Sequence, residues 1–65
     1  MEKNMRDKLR GLIIGSGKSM EAVAREMGIT RQTLSTRING RKDFTLGEMK
    51  RFAASVGKDA KEIFF

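Results

Sequence analysis

Met5, Leu9, Leu12 and Ile13 recur at i, i+4, i+7 and i+8, the spacing that gathers apolar side chains on one face of a helix. The pattern predicts a first helix from about Asn4 to Ile14. Asn4 is its expected N-cap, Asp7 falls in the first turn, and Gly15 takes the left-handed position past the end. A second helix is predicted from Ser19 to Met27, capped by Ser19 and closed by Gly28. Its stripe is Met20, Val23, Ala24 and Met27. The third starts at the N-cap Thr30 and stops near Asn39-Gly40, with only Leu34 and Ile38 as apolar positions. The fourth has the clearest start: Thr45-Leu46-Gly47-Glu48 fits a capping box, and Phe44 with Met49 fits a hydrophobic staple. Its core face is Leu46, Met49, Phe52, Ala53 and Val56, and Gly57 ends it. The fifth begins at Asp59, with Glu62 three residues on, and finishes in Ile63-Phe64-Phe65.

No β-type alternation, repeat or low-complexity tract interrupts this order. The expected fold is all-α, a compact five-helix bundle in one domain spanning residues 1–65. Its predicted core is Leu9, Leu12, Ile13, Val23, Ala24, Met27, Ile29, Leu34, Ile38, Phe44, Leu46, Met49, Phe52, Val56 and Phe64. A chain of 65 residues buries only about 60% of the surface its unfolded form exposes, so that core is thin.

Charge adds the next constraint. Fourteen Lys and Arg against eight Asp and Glu give a net +6, which points to a polyanionic partner. The distribution sharpens this: between Glu26 and Asp43 there is no acid, yet Arg31, Arg37, Arg41 and Lys42 all fall there. A basic face that only keeps the protein in solution would not need such a one-sign block. The absence of Cys excludes disulfides and thiolate metal sites, and the absence of His removes the commonest general base and metal ligand. No nucleophile–base pair is visible, so neither enzyme activity nor a cofactor is expected. No apolar run is longer than three residues, which excludes a membrane span or signal h-region and makes a cytoplasmic location the default.

One stretch needs separate treatment. GLIIGSGKSM, residues 11–20, looks like the end of a phosphate-binding loop, G-x-x-x-x-G-K-[ST]. The spacing fails, because the first glycine, Gly11, lies one position too early. A P-loop also follows a strand, and a helix precedes this one. Its glycines read as a helix stop and a tight turn, with Lys18 and Ser19 opening the second helix.

Residues 19–40, SMEAVAREMGITRQTLSTRING, combine two short helices through a turn with almost no slack. Ala24 is small enough for a close helix crossing, Gly28 suits the left-handed turn, Ile29 plugs into the core and Leu34 anchors the second helix. This is the helix-turn-helix arrangement, at about residues 19–39. The stretch is similar to the Xre or Cro/C1-type helix-turn-helix domains of phage repressors, a lambda-repressor-like fold. The apolar positions Val23, Met27, Ile29 and Leu34 around Ala24 and Gly28 carry the resemblance. INGRKDFTLGEMKRFAASVG and the terminal KEIFF, which resembles Cro-like proteins of Gram-positive phages, extend it over about Leu9 to Phe65. Two positions depart from the family: Arg37 stands where it usually has an apolar residue, and Met20 where it often has Gln.

The resemblance implies sequence-specific binding of double-stranded DNA by a homodimeric transcriptional repressor. At 100° per residue, Leu34 and Ile38 mark the buried edge of the third helix, Gln32 and Thr36 lie roughly opposite, and Ser35 and Thr33 flank them. The resemblance carries base reading onto Arg31, Gln32 and Thr36, with Ser35 beside them. Arg can fork onto guanine, Gln can pair with adenine, and Thr can meet a thymine methyl. Phosphate contacts are expected at helix N-termini from Ser19, Met20 through its backbone, Thr30 and Thr33. Asn39, Gly40 through its backbone, Arg41 and Lys42 lie where the family grips the sugar-phosphate strand. Arg37 either touches DNA or pairs with an acid such as Glu26, and Lys18 is either a phosphate contact or a solvated loop charge. Phe64 is expected in the core and Phe65 at the dimer contact. The rival reading is a protein-interaction module, antitoxin-like or antirepressor-binding, whose basic face meets an acidic protein. A protein partner would favour aromatic anchors on the third helix, and it has none. A basic membrane-surface helix is not supported, because the cations are spread over several helices.

Overall fold

The computed structural model describes residues 3–40 and 44–65. Five helices follow in order: α1 (Lys3–Gly15), α2 (Met20–Met27), α3 (Arg31–Ile38), α4 (Leu46–Ser55) and α5 (Ala60–Phe64), with no strand among the described residues. Helix α2 packs on α3 and α4, α4 on α5, and α1 on α3. The architecture is the all-helical one that the apolar periodicity predicts.

Four of the five helices start as their sequences dictate. The hydroxyls of Ser19, Thr30 and Thr45 accept from the backbone N–H of Ala22, Thr33 and Glu48, and both predicted capping boxes, Thr45/Glu48 and Asp59/Glu62, are closed. The first helix differs. It begins at Lys3, so Asn4 lies inside it rather than capping it, and Asp7 falls beyond the first turn. Its far end differs too. Gly15 is still helical, and the left-handed residue is Gly17 at φ 77°. The reason is local: the Ser16 N–H still reaches the carbonyls of Leu12 and Ile13, while its hydroxyl donates to Ile13 O at 2.6 Å, so the chain turns later, at Gly17.

Gly28 occupies the turn between α2 and α3 at φ 75°, and the Ile29 N–H closes the helix end on Ala24 O at 3.0 Å. A Cβ built at Gly28 would meet nothing within 4 Å, so only backbone strain opposes a side chain there. Gly28→Ala should therefore lower stability by about 1–2 kcal/mol, the left-handed cost for a residue with a Cβ. Urea unfolding checks it: an unchanged midpoint would mean that the turn relaxes without the left-handed conformation.

The core contains Leu9, Ile13, Val23, Ala24, Met27, Leu34, Ile38, Phe44, Phe52, Ala53, Val56 and Ile63, with Leu12, Ile29, Met49 and Phe64 partly buried against it. Phe44, Phe52 and Phe64 form a closed triangle with ring centroids 5.5–6.1 Å apart in tilted and edge-on arrangements. Two expectations change. Leu46 is not core: it is 56% exposed, opening α4 about 120° round the helix from Phe52. Ile63 is fully packed in its stead at the other end of the chain, while the larger Phe64 is only half-buried.

Candidate nucleic-acid interface

The face of α3 that matters is created by what α3 buries. Leu34 and Ile38 are completely inaccessible, and they lie four residues apart on one stripe. Turning away from that stripe leaves Arg31 and Gln32 exposed and Thr33, Ser35 and Thr36 half-buried. Gln32 and Thr36 share an open groove with Thr30, Thr33 and Arg37, so no other described segment covers them. A second groove, between α1, the α2 N-terminus and α3, has Arg10, Lys18, Arg31, Ser19 and Ser35 on its rim and Ile13, Ile14 and Met20 in its wall. Among the described residues no acid lines it.

The hydroxyls on this surface are already oriented. Thr36 donates to Gln32 O at 3.0 Å, which leaves its hydroxyl oxygen free to accept. Thr30 donates to Thr33 Oγ1 at 2.8 Å and accepts from the Thr33 N–H at 3.1 Å, so the Thr33 hydroxyl proton is available to an anion. Ser19 and Thr30 sit at the N-termini of α2 and α3, where free N–H groups and the positive dipole end favour phosphate oxygens. Arg41 and Lys42 lie outside the described residues.

Two of the cations lining these grooves, Lys18 and Arg37, have acidic partners. Lys18 Nζ lies 2.8 Å from Glu26 Oε1 and donates to Ser55 O at 2.6 Å, and the Ser55 hydroxyl donates to the same Glu26 oxygen at 2.8 Å. Lys18 thus ties the loop before α2 to the end of α4. Arg37 does not meet Glu26. Its Nε donates to Glu48 Oε1 at 2.9 Å and its guanidinium NH₂ to Oε2 at 3.3 Å, a bidentate pair with side chains only 19% and 9% exposed.

This is a helix-turn-helix with a polar recognition face, and the Cro/C1-type helix-turn-helix family model matches residues 9–63. The chain belongs to that family. No curated protein and no solved structure matches it. Membership makes the helix-turn-helix protein a sequence-specific DNA-binding regulator of transcription, in a family that is not typically enzymatic, and its partner is double-stranded DNA. Among the described residues no helix is long and apolar enough to cross a membrane, and no cluster of three His, Cys, Asp or Glu could hold a metal ion.

Sequence reasoning passed over three residues of the helix-turn-helix surface and its supports: Arg10, Glu48 and Ser55. One guanidinium NH₂ of Arg10 donates to Asn39 Oδ1 at 3.0 Å, and Asn39 Nδ2 faces Ser35 Oγ at 3.4 Å, so α1 reaches the far end of α3. Arg10 lies one turn before Ile13 and Ile14, and its partner Asn39 is 29 positions away, so a signal of that kind is legible only in three dimensions. Glu48 was visible as a capping residue. Its second use, as the partner of Arg37, was not.

The pairing sets the protonation of both acids. The hydrogen bonds from Arg37 hold the Glu48 carboxyl below its ordinary 4.5, against the opposing effect of burial, with the Thr45 N–H and the charges of Arg37 and Arg51 adding to the fall. Hydrogen bonds from Lys18, and then from Ser55, lower Glu26 in the same way. Below 4.5 the unfolded chain binds protons that the folded chain refuses, so stability is complete above that value and declines as pH falls through the lowered ones. Thermal melts from pH 7 to 3 should show a flat midpoint down to about pH 5 and a progressive fall below it. The Glu48→Gln variant should lose part of that acid dependence, and an identical profile would mean that Glu48 is not the titrating group.

Proposed function

We propose that this protein is a repressor of the phage or prophage Cro/C1 kind that binds a palindromic operator as a homodimer. Its third helix reads bases in the major groove. The observation that carries the reading is the uncovered flank of α3: Gln32 and Thr36 stand opposite the fully buried Leu34 and Ile38. Arg31, Gln32, Ser35 and Thr36 read base edges. Ser19, Met20 through its backbone, Thr30, Thr33, Asn39 and Gly40 hold phosphates, joined by Arg41 and Lys42 on their place in the sequence. Lys18 and Arg37 act chiefly from behind, through Glu26 and Glu48.

Size supports the dimer. Successive major grooves on one side of a duplex lie about 34–36 Å apart, farther than the 23 × 23 × 20 Å extent of this domain, which suits reading by a pair of copies. Phe65, 74% exposed, is the proposed dimer contact, and the exposed Leu46 adds apolar surface. The protein acts where its DNA is, in the bacterial cytoplasm. The rival partner, an acidic protein, lacks an aromatic anchor on α3 to hold it.

Selection of binding sites from random duplexes tests the proposal. The expected product is an inverted repeat with half-sites about one helical turn apart. An asymmetric consensus would overturn the dimer. Two variants then separate the roles. Gln32→Ala should relax preference at one base position in each half-site, a loss of about 1–3 kcal/mol of discrimination. Arg41→Ala should weaken all duplexes about equally and reduce the salt slope by about 1 per copy, about 2 for the dimer. If the two variants behave alike, the division between base and phosphate contacts is wrong.

A further inference from the structure

We propose that the Arg37–Glu48 ion pair is the positioning device of DNA reading: it fixes the roll of α3 about its own axis and so decides which base edges Gln32 and Thr36 meet. This rests on the DNA-reading role proposed above. Few buried side chains hold α3. Its buried side chains are Leu34 and Ile38, and they fall on a single line along the helix. One line of contacts fixes where a helix lies but resists rotation about itself poorly. Fixing the roll takes attachments to either side of the line.

The structure supplies two. On one flank, about 80° from the centre of the buried stripe, Arg37 reaches across to α4 and forks onto both oxygens of Glu48. On the other flank Ser35 and Asn39 are linked to Arg10 of α1. Gln32 and Thr36 lie between the two attachments. The Glu48 anchor is firm because its Oε1 also accepts the Thr45 N–H at 3.0 Å, while Thr45 Oγ1 accepts the Glu48 N–H at 3.1 Å. The Arg37 side is bidentate and largely buried, whereas the Arg10 bond is exposed, so Arg37–Glu48 dominates.

The required precision is small in angle. A side-chain tip about 5–6 Å from the helix axis moves roughly 1 Å for every ~10° of roll. Hydrogen bonds to a base tolerate only about half that, since they span about 2.7–3.2 Å. An apolar pair of similar volume would hold the fold as well, because the desolvation of buried ions offsets most of their attraction. What such a pair lacks is the planar fork that sets direction.

The test uses the full chain carrying Arg37→Met with Glu48→Gln. Gln keeps the capping box, since that position accepts Glu or Gln, and the double change leaves no buried charge unpaired. Thermal melting, binding to random duplex over a salt series, and binding to the selected operator are measured. The melting midpoint is expected within a few degrees of the parent, with random-duplex affinity and salt slope unchanged. The operator-to-random affinity ratio should fall tenfold or more. A ratio within twofold of the parent overturns the proposal. So does a salt slope reduced by about 1 per copy, about 2 for the dimer, which would make Arg37 itself a phosphate contact. Should the double variant fail to fold, Arg37→Lys decides: it keeps the charge and loses the fork, and the ratio should fall at least threefold. An unchanged ratio again overturns the proposal. A parent protein that does not distinguish any duplex from random DNA would instead overturn the DNA reading, and the roll proposal with it.

Discussion

Phe52→Ala is expected to bring the protein to the edge of unfolding at 25 °C. Phe52 is completely buried and touches both other rings of the aromatic triangle, at 5.8 Å from Phe44 and 6.1 Å from Phe64. Removing a buried Phe costs about 3–5 kcal/mol, part from lost transfer energy and part from the cavity left behind. A chain of 65 residues has roughly 3–10 kcal/mol of total stability, so the loss is comparable with the whole. In a domain this small each kcal/mol moves the melting midpoint by about 4–8 °C, which predicts a drop of roughly 12–40 °C. Circular dichroism melts check it, with Phe65→Ala as the comparison. Phe65 is 74% exposed and should change the monomer by no more than about 0.5 kcal/mol. A midpoint lowered by less than about 5 °C in Phe52→Ala would mean that the triangle does not hold α4 to α5 and the segment before α4.

The second large effect is in binding. Raising salt from 50 to 200 mM should weaken duplex affinity by about 10³–10⁵ for a dimer that neutralises 6–10 phosphates. The slope comes from counterions released as cations and helix N-termini settle on the strand, so it should appear on random and selected duplexes alike. The net +6 of each chain and the acid-free span between Glu26 and Asp43 are its source. Lys18 and Arg37 should contribute little to it, because each is already paired with a carboxylate inside the molecule. Fluorescence anisotropy across a salt series measures the slope. A slope near zero would remove the phosphate-driven reading and favour an acidic protein as the partner.

Much of the scaffold was legible because its signals are local. A hydroxyl or carboxylate three residues before the N–H it accepts is a property of neighbouring residues, and Ser19, Thr30, Thr45 and Asp59 all cap where the chain order says they should. The buried line Leu34–Ile38 is equally local, since four residues nearly complete a turn. The misreadings sit where local rules are permissive. Gly15 and Gly17 suit the left-handed position equally, and the Ser16 bonds to the preceding turn choose between them. Leu46 and Ile63 are both apolar ends of a helical stripe, and only the approach of other helices decides which is covered.

By itself, then, the order of residues determined the five helices, the N-caps of the last four, the two-residue seam under α3 and the basic character of its surroundings, because periodicity, capping and charge act over one or two turns. Tertiary structure alone decided which charges remain free for a partner. Arg37 meets Glu48 across 11 positions, Lys18 meets the Ser55 carbonyl across 37, and Arg10 meets Asn39 across 29. Nothing short-range distinguishes these cations from Arg31. The physical reason is that an ion pair needs its partner within about 4 Å, and that distance is set by how the helices pack.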